Sequence, residues 1–137
     1  TFFLTGVQLE VGTVATAFEH EPFERTLLKS QRYYQRWQAN TQYDGVCTGA
    51  MYSDTFWLGD YRLSPEMRAE PTFSANGTFK VNASGGDMNA SNFGLNRATP
   101  QTIQIECDTT DANRIGQAGL LRAGADADAY LEFKAEL

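Results

Sequence analysis

The sequence is poor in the side chains that hold metals and reacting groups. It has one histidine, His20, and two cysteines, Cys47 and Cys107, far apart and outside any CxxC pair. That spacing excludes a zinc site of the usual kind. Two cysteines allow one disulfide closing a long loop or two free thiols; free cysteine is commonly buried, which favours the thiols. No run approaches the roughly 18 apolar residues of a membrane span, so no membrane insertion is expected. Positive charge is also scarce: 11 Lys and Arg stand against 17 Asp and Glu, a net charge of −6. Non-specific attraction to nucleic acid is excluded on that balance. There is no initiator methionine and no basic-then-apolar leader; the chain opens on TFFLTG, as if inside a strand. The expectation is a C-terminal portion of a longer protein.

What the sequence does hold is aromatic. Nine Phe, six Tyr and two Trp in 137 residues favour strands and large packed or contact surfaces. Near the start, Phe2, Leu4, Val7, Leu9 and Val11 form an apolar set broken at Thr5-Gly6. This suits a half-buried strand with a small irregularity. Pro22 fits a first helical turn, with acids Glu19, Glu21 and Glu24 near the start and Lys29 and Arg32 near the end, which predicts a short helix.

Beyond it the pattern is all strand and turn. Val46 to Tyr52 and Thr55 to Leu63 read as strands, the second with Phe56 and Leu58 inward and Gly59 as a bulge. On that alternation Trp57 faces outward. Pro71 to Ala75 and Thr78 to Ala83 flank Asn76-Gly77, the strongest hairpin signal in the chain. Ser84 to Asn96 is either a loop or an irregular edge strand around Phe93 and Leu95. Thr102 to Cys107 alternates with Ile103, Ile105 and Cys107 on one side. Asp108 to Gly119 reads as a loop, and Gly119 to Ala123 as a further strand. Ala129 to Leu137 alternates again, predicting a terminal strand held in a sheet. Short strands at this spacing imply two sheets that bury their inward faces against each other. The predicted fold is all-β, an antiparallel β-sandwich with one short N-terminal helix. The predicted division is residues 1–21 as a linking strand or arm and 22–137 as the sandwich.

Four stretches carry a resemblance. TGVQLEVGTVATAFEHEPF followed by SQRYYQR, then MRAEPTFS, then YLEFKAEL, closely resemble segments recurrent in bacteriophage tail-fibre and other virion structural proteins. The likeness touches both ends and the centre and leaves 74–120 as a variable stretch. The family often has proline where this chain has Ala17 and cysteine where it has Ser30. The resemblance implies a jelly-roll-like sandwich at the end of a fibre, a homotrimer, a location in the virion beside other tail or capsid proteins, and folding in a reducing cytosol that keeps the thiols free. It implies no ligand.

Candidate chemistry is sparse. Asp108, Asp111, Asp126 and Asp128 are acids of the kind that chelate Ca²⁺, yet the twelve-residue calcium loop is absent, which favours solvated loop acids. Glu19, Glu21 and Glu24 resemble the paired acid and base of glycoside hydrolysis, but crowd a helix start where acids belong anyway. His20 has no neighbouring nucleophile to serve. No phosphate-cradling loop exists. The sequons at Asn76, Asn82 and Asn89 read as polar turns. Neither a catalytic residue, a metal nor a cofactor is expected.

Aromatic side chains on a rigid sheet, with one wet edge, suit sugar rings. The candidate ligand-binding residues are therefore Trp57 and Tyr61, with Asn92 and Asn113 from the polar stretches 87–96 and 108–117 supplying groups for glycan hydroxyls. The expected function is non-enzymatic attachment to a bacterial surface polysaccharide. The alternatives are a capsid decoration, head fibre or trimerisation cap without a ligand, and the terminal module of a depolymerase tailspike.

Overall fold

In the computed structural model, residues 7–14, 16–17, 20–84, 86–110 and 114–136 are described. One helix, α1 (Phe23–Gln31), precedes nine strands: β1 (Tyr34–Gln38), β2 (Gly45–Ser53), β3 (Phe56–Arg62), β4 (Thr72–Asn76), β5 (Phe79–Ala83), β6 (Gly86–Ala98), β7 (Thr102–Thr109), β8 (Ala118–Ala123) and β9 (Tyr130–Lys134). Six of them close a barrel in the order β2-β3-β7-β6-β5-β8, and the other three form a sheet ordered β1-β9-β4. Every pairing is antiparallel. The all-β, antiparallel expectation with one short leading helix holds. One layer is a sheet closed on itself, which removes its edges.

The barrel interior is built around Trp57. Its indole is fully buried. Opposite it the chain has no side chains: a Cβ at Gly59 would stand 2.1 Å from the ring, one at Gly49 2.6 Å, and one at Gly119 3.2 Å from Nε1. These glycines lie on three adjacent strands, Gly49 facing Gly59 on one side and Gly119 on the other. Around the ring pack Met51, Val81, Met88, Ile103, Ile105, Cys107 and Leu121, all essentially without exposed surface. A large ring in a small barrel needs small neighbours, and glycine is the smallest.

This corrects the inward set expected for β3. Phe56 and Leu58 are half-buried on the outer face; Trp57 and Gly59 are buried. Both faces of the strand carry large apolar residues, so alternation alone did not say which was inside. Gly59 makes room for Trp57 and is not a bulge. The register shift in that ribbon falls between Met51 and Ser53.

The three-stranded sheet covers the barrel with Leu131 and Phe133 of β9, both fully buried along with Ala129 and Ala135, as the alternation of the last strand predicts. Phe133 stacks on Tyr61 of the barrel at 5.2 Å and on Phe73 of β4 at 5.6 Å. Trp37 of β1 meets Phe79 of β5 at 6.2 Å. The core is therefore continuous across both sheets.

Other expectations change. Asn76-Gly77 does not turn a hairpin: β4 pairs with β9, while β5 pairs with β6 and β8. Gly77 has φ +95°, as a tight turn needs, but the next amide, Thr78 N, donates to Asp126 Oδ2 at 3.0 Å. A tertiary partner thus fixes the turn as a corner between the two sheets. Residues 86–98 are a strand, the edge-strand alternative of the two, but one with both its neighbours in place. Tyr34–Gln38 is a strand where none was expected. The strand expected through Phe2 and Leu4 lies outside the described residues over 1–6. Over Val7–Val11 the chain is not a strand.

Both cysteines are free thiols. Burial pushes each thiol up to about 12, with Asp60 adding to the shift at Cys47 and Asp108 at Cys107. Thiolate is the reactive form, so both cysteines are expected to resist an aromatic disulfide reagent at pH 8 and to react fully in denaturant; fast native labelling of Cys107 contradicts this packing. A second expectation concerns the indole. Gly59→Ala is expected to cost about 1–3 kcal/mol through overpacking. In a Trp57→Phe background the same change is expected to cost less, a coupling that a denaturant-melt double-mutant cycle reads directly.

Candidate functional site

The outward face of the four adjacent barrel strands β2, β3, β7 and β6 carries the most site-like arrangement of side chains. It follows from the same alternation that buries Trp57: what points in at Met51, Trp57, Gly59 and Ile105 leaves Tyr52, Phe56, Leu58, Gln104 and Glu106 pointing out. Tyr52 is 72% exposed. Its ring meets the edge of Phe56 at 6.4 Å and 74°, a T-shaped pair that holds both rings in place. The bulge between Met51 and Ser53 sits beside this pair, where it re-aims Tyr52.

Beside the aromatic pair runs a row of amides and acids. Asn96 Nδ2 donates to Gln104 Oε1 at 2.6 Å, and Gln104 Nε2 donates to Asp60 Oδ1 at 3.1 Å. These bonds cross β6, β7 and β3 and fix which way the Gln104 amide faces. A shallow depression of about 470 Å³ is lined by Tyr52, Phe56, Leu58, Asn96, Arg97, Gln104 and Glu106. A second, of about 390 Å³, shares Tyr52, Leu58 and Gln104 with it and extends over Thr48 to Ala50 and Asp60. Thr48 leads on to a third over Asn82, Ala118 and Leu120. The result is a furrow across the barrel wall, floored by small or aliphatic side chains and edged with hydrogen-bonding groups. Such a lining holds a flat ligand with an apolar face and a polar rim.

The expected ligand residues fare unequally. Trp57 is core, and its exposure was the error: the glycines that make room for it leave it no path to solvent. Tyr61 is half-buried and stacked on Phe133; burial, then the neighbouring Cys47, raises its hydroxyl above the usual value. It joins barrel to sheet. Asn92 has φ +49° and donates through Nδ2 to Asp108 Oδ2 at 2.8 Å. Asp108 lies opposite Phe56 in register, but neither Asn92 nor Asp108 lines the furrow. Asn113 lies outside the described residues. Asn96 closes the 87–96 stretch expected to offer polar groups, whereas Gln104 and Glu106 were missed as site residues; the clean alternation of TIQIEC already put both outward, and only their meeting with Tyr52 was hidden.

The acids do not converge elsewhere. Among the described residues no three His, Cys, Asp or Glu side chains come together as metal ligands. Asp126 braces the sheet corner, accepting from Thr78 N and, at 3.0 Å, from Asp128 N. Glu21 is held by Lys29, Arg25 and Thr26 at the start of α1, and the Lys29 hydrogen bond above all holds its carboxyl below the usual range. Glu19 and Asp111 lie outside the described residues. Asp87 pairs with Arg122 at 2.6 Å beneath Asn82, clamping β6 to β8 across β5; the Asn82 hydrogen bond first, then Arg122, lower its carboxyl.

No family model, no curated protein and no solved structure matches this chain.

Two substitutions separate wall from core. Tyr52→Ala is expected to change unfolding free energy by less than about 0.5 kcal/mol, as exposed sites do. Trp57→Ala is expected to cost about 3–5 kcal/mol. Equal costs in a urea titration would contradict the inside-outside assignment of β2 and β3.

Proposed function

We propose that this protein is a non-enzymatic virion component, the C-terminal domain of a bacteriophage tail-fibre or tail-tip protein, and that it attaches to a polysaccharide on the bacterial surface. The observation that carries the attachment reading is the exposed Tyr52–Phe56 pair set beside the Asn96–Gln104–Asp60 row on a rigid barrel wall. A pyranose presents one face of C–H groups and a rim of hydroxyls. The aromatic pair meets the first, and amides and carboxylates with fixed orientation meet the second. Because the wall strands are paired on both sides, no ordering of a loop opposes binding. The phage assignment rests on the resemblance of TGVQLEVG, QRYYQR, MRAEPTFS and YLEFKAEL. So does the homotrimer, which would set three furrows on one particle tip and multiply weak individual contacts through effective concentration.

The test is a panel of immobilised bacterial capsular and O-antigen polysaccharides probed with the labelled protein. Binding to at least one member is expected, falling about tenfold or more with Tyr52→Ala or Phe56→Ala and unchanged with Tyr33→Ala, an exposed tyrosine ahead of β1. Binding that ignores the Tyr52 and Phe56 changes removes the furrow as the site. No binding across the panel returns the structural alternative, a fibre or head cap without a ligand.

A further inference from the structure

The segment ahead of β1 exposes apolar side chains in two places. The first is a small loop. Glu10 accepts from Thr16 N at 2.5 Å and from Thr16 Oγ1 at 2.6 Å, and Gln8 Nε2 donates to both Glu10 and Thr16 at 3.3 Å. The polar side chains thus close the loop on one another. Its apolar members are exposed: Leu9 98%, Val14 77%, and Val11 completely. The second is α1. It has no buried residue, and Phe23 and Leu28 are more than half exposed, with Leu27 close behind.

Neither arrangement is stable by itself. A nine-residue helix is below the length at which helices persist in water without a packed face. A loop whose polar groups are satisfied internally while its valines and leucine face water gains nothing from hydration. We infer that these two surfaces cover each other between copies: Leu9, Val11 and Val14 of one copy seat against Phe23, Leu27 and Leu28 on α1 of the next. The inference rests on the self-association in the preceding reading and says which residues make it.

The area available is what a second copy would bury. Burying five aliphatic side chains at roughly 60–120 Å² each and one Phe at about 150 Å² removes about 600 Å² of apolar surface. That is close to the apolar share of a small specific interface, near 700 Å² of a total of ~1,200 Å². A net charge of −6 opposes an anionic lipid surface. The contact is between different patches on each partner, the head-to-tail type, which closes into a ring where the rotation between copies permits and propagates as a filament where it does not. Beside α1, Glu21 pairs with both Arg25 and Lys29 within the chain.

Two paired variants test this without altering net charge: Leu9→Gln with Val11→Gln, and Phe23→Gln with Leu28→Gln. None of the four residues is buried, so the barrel is expected to keep its near-ultraviolet spectrum. Sedimentation equilibrium is expected to show wild-type self-association weakened about a hundredfold by either pair, a tenfold loss for each side chain. An equimolar mixture of the two variants is expected to regain dimers where each alone is monomeric, because one intact loop then meets one intact helix. Assembly indifferent to both pairs leaves self-association standing and overturns this surface. A wild type that stays monomeric at roughly 100 µM overturns both, and if that monomer sediments with phosphatidylcholine vesicles, a neutral lipid surface is the occupant instead.

Discussion

One steric constraint governs the molecule: a single indole must fit inside a six-stranded barrel. Trp57 fills the space across which Gly49, Gly59 and Gly119 give way, and the inward residues of all six strands are arranged around it. Interiors pack as densely as organic crystals, so a ring of that size fixes the separation of the strands it touches. Its indole nitrogen has no hydrogen-bond partner among the described residues.

The same constraint shapes the outer wall. With Trp57 and Gly59 turned in, Phe56, Leu58 and Asp60 are turned out, and cross-strand pairing brings Glu106 beside Leu58 and Gln104 beside Asp60. The furrow is therefore the reverse side of the core. Small side chains at Thr48, Ala50 and Ala118 lower its floor. Tyr61 lies on the inward side of the same strand and carries the packing through to Phe133, so core, site and covering sheet meet within seven residues of β3.

Much of the fold was legible. TIQIEC and AYLEFKAEL each alternate without interruption, and both bury the set that alternation names, in the second from Ala129 to Ala135. The strand TFWLGDYRL was ambiguous because both of its faces are apolar; the deciding information lay in glycines on two other strands. ANGT promised a hairpin and became a corner, since Asp126 was the partner the local sequence could not reveal. The candidate site was half visible. Gln104 and Glu106 were outward by pattern, while the exposure of Tyr52 depended on which face of its strand the barrel enclosed. Trp57 attracted attention for its chemistry and proved to be structural for the same reason: it is the largest apolar side chain available.

The order of the three-stranded sheet has a consequence for synthesis. β9 lies between β1 and β4, and both wait for it. On a ribosome they emerge first, each without the neighbour that will satisfy its backbone, while Leu131 and Phe133 are still to be made. The barrel, whose strands all precede β9 in the chain, can close earlier and carry these two loose ribbons on its surface. Completion is then a late docking event in which one short segment zips two distant pieces together, and a nascent chain interrupted before residue 130 would display two naked strand edges to whatever is nearby.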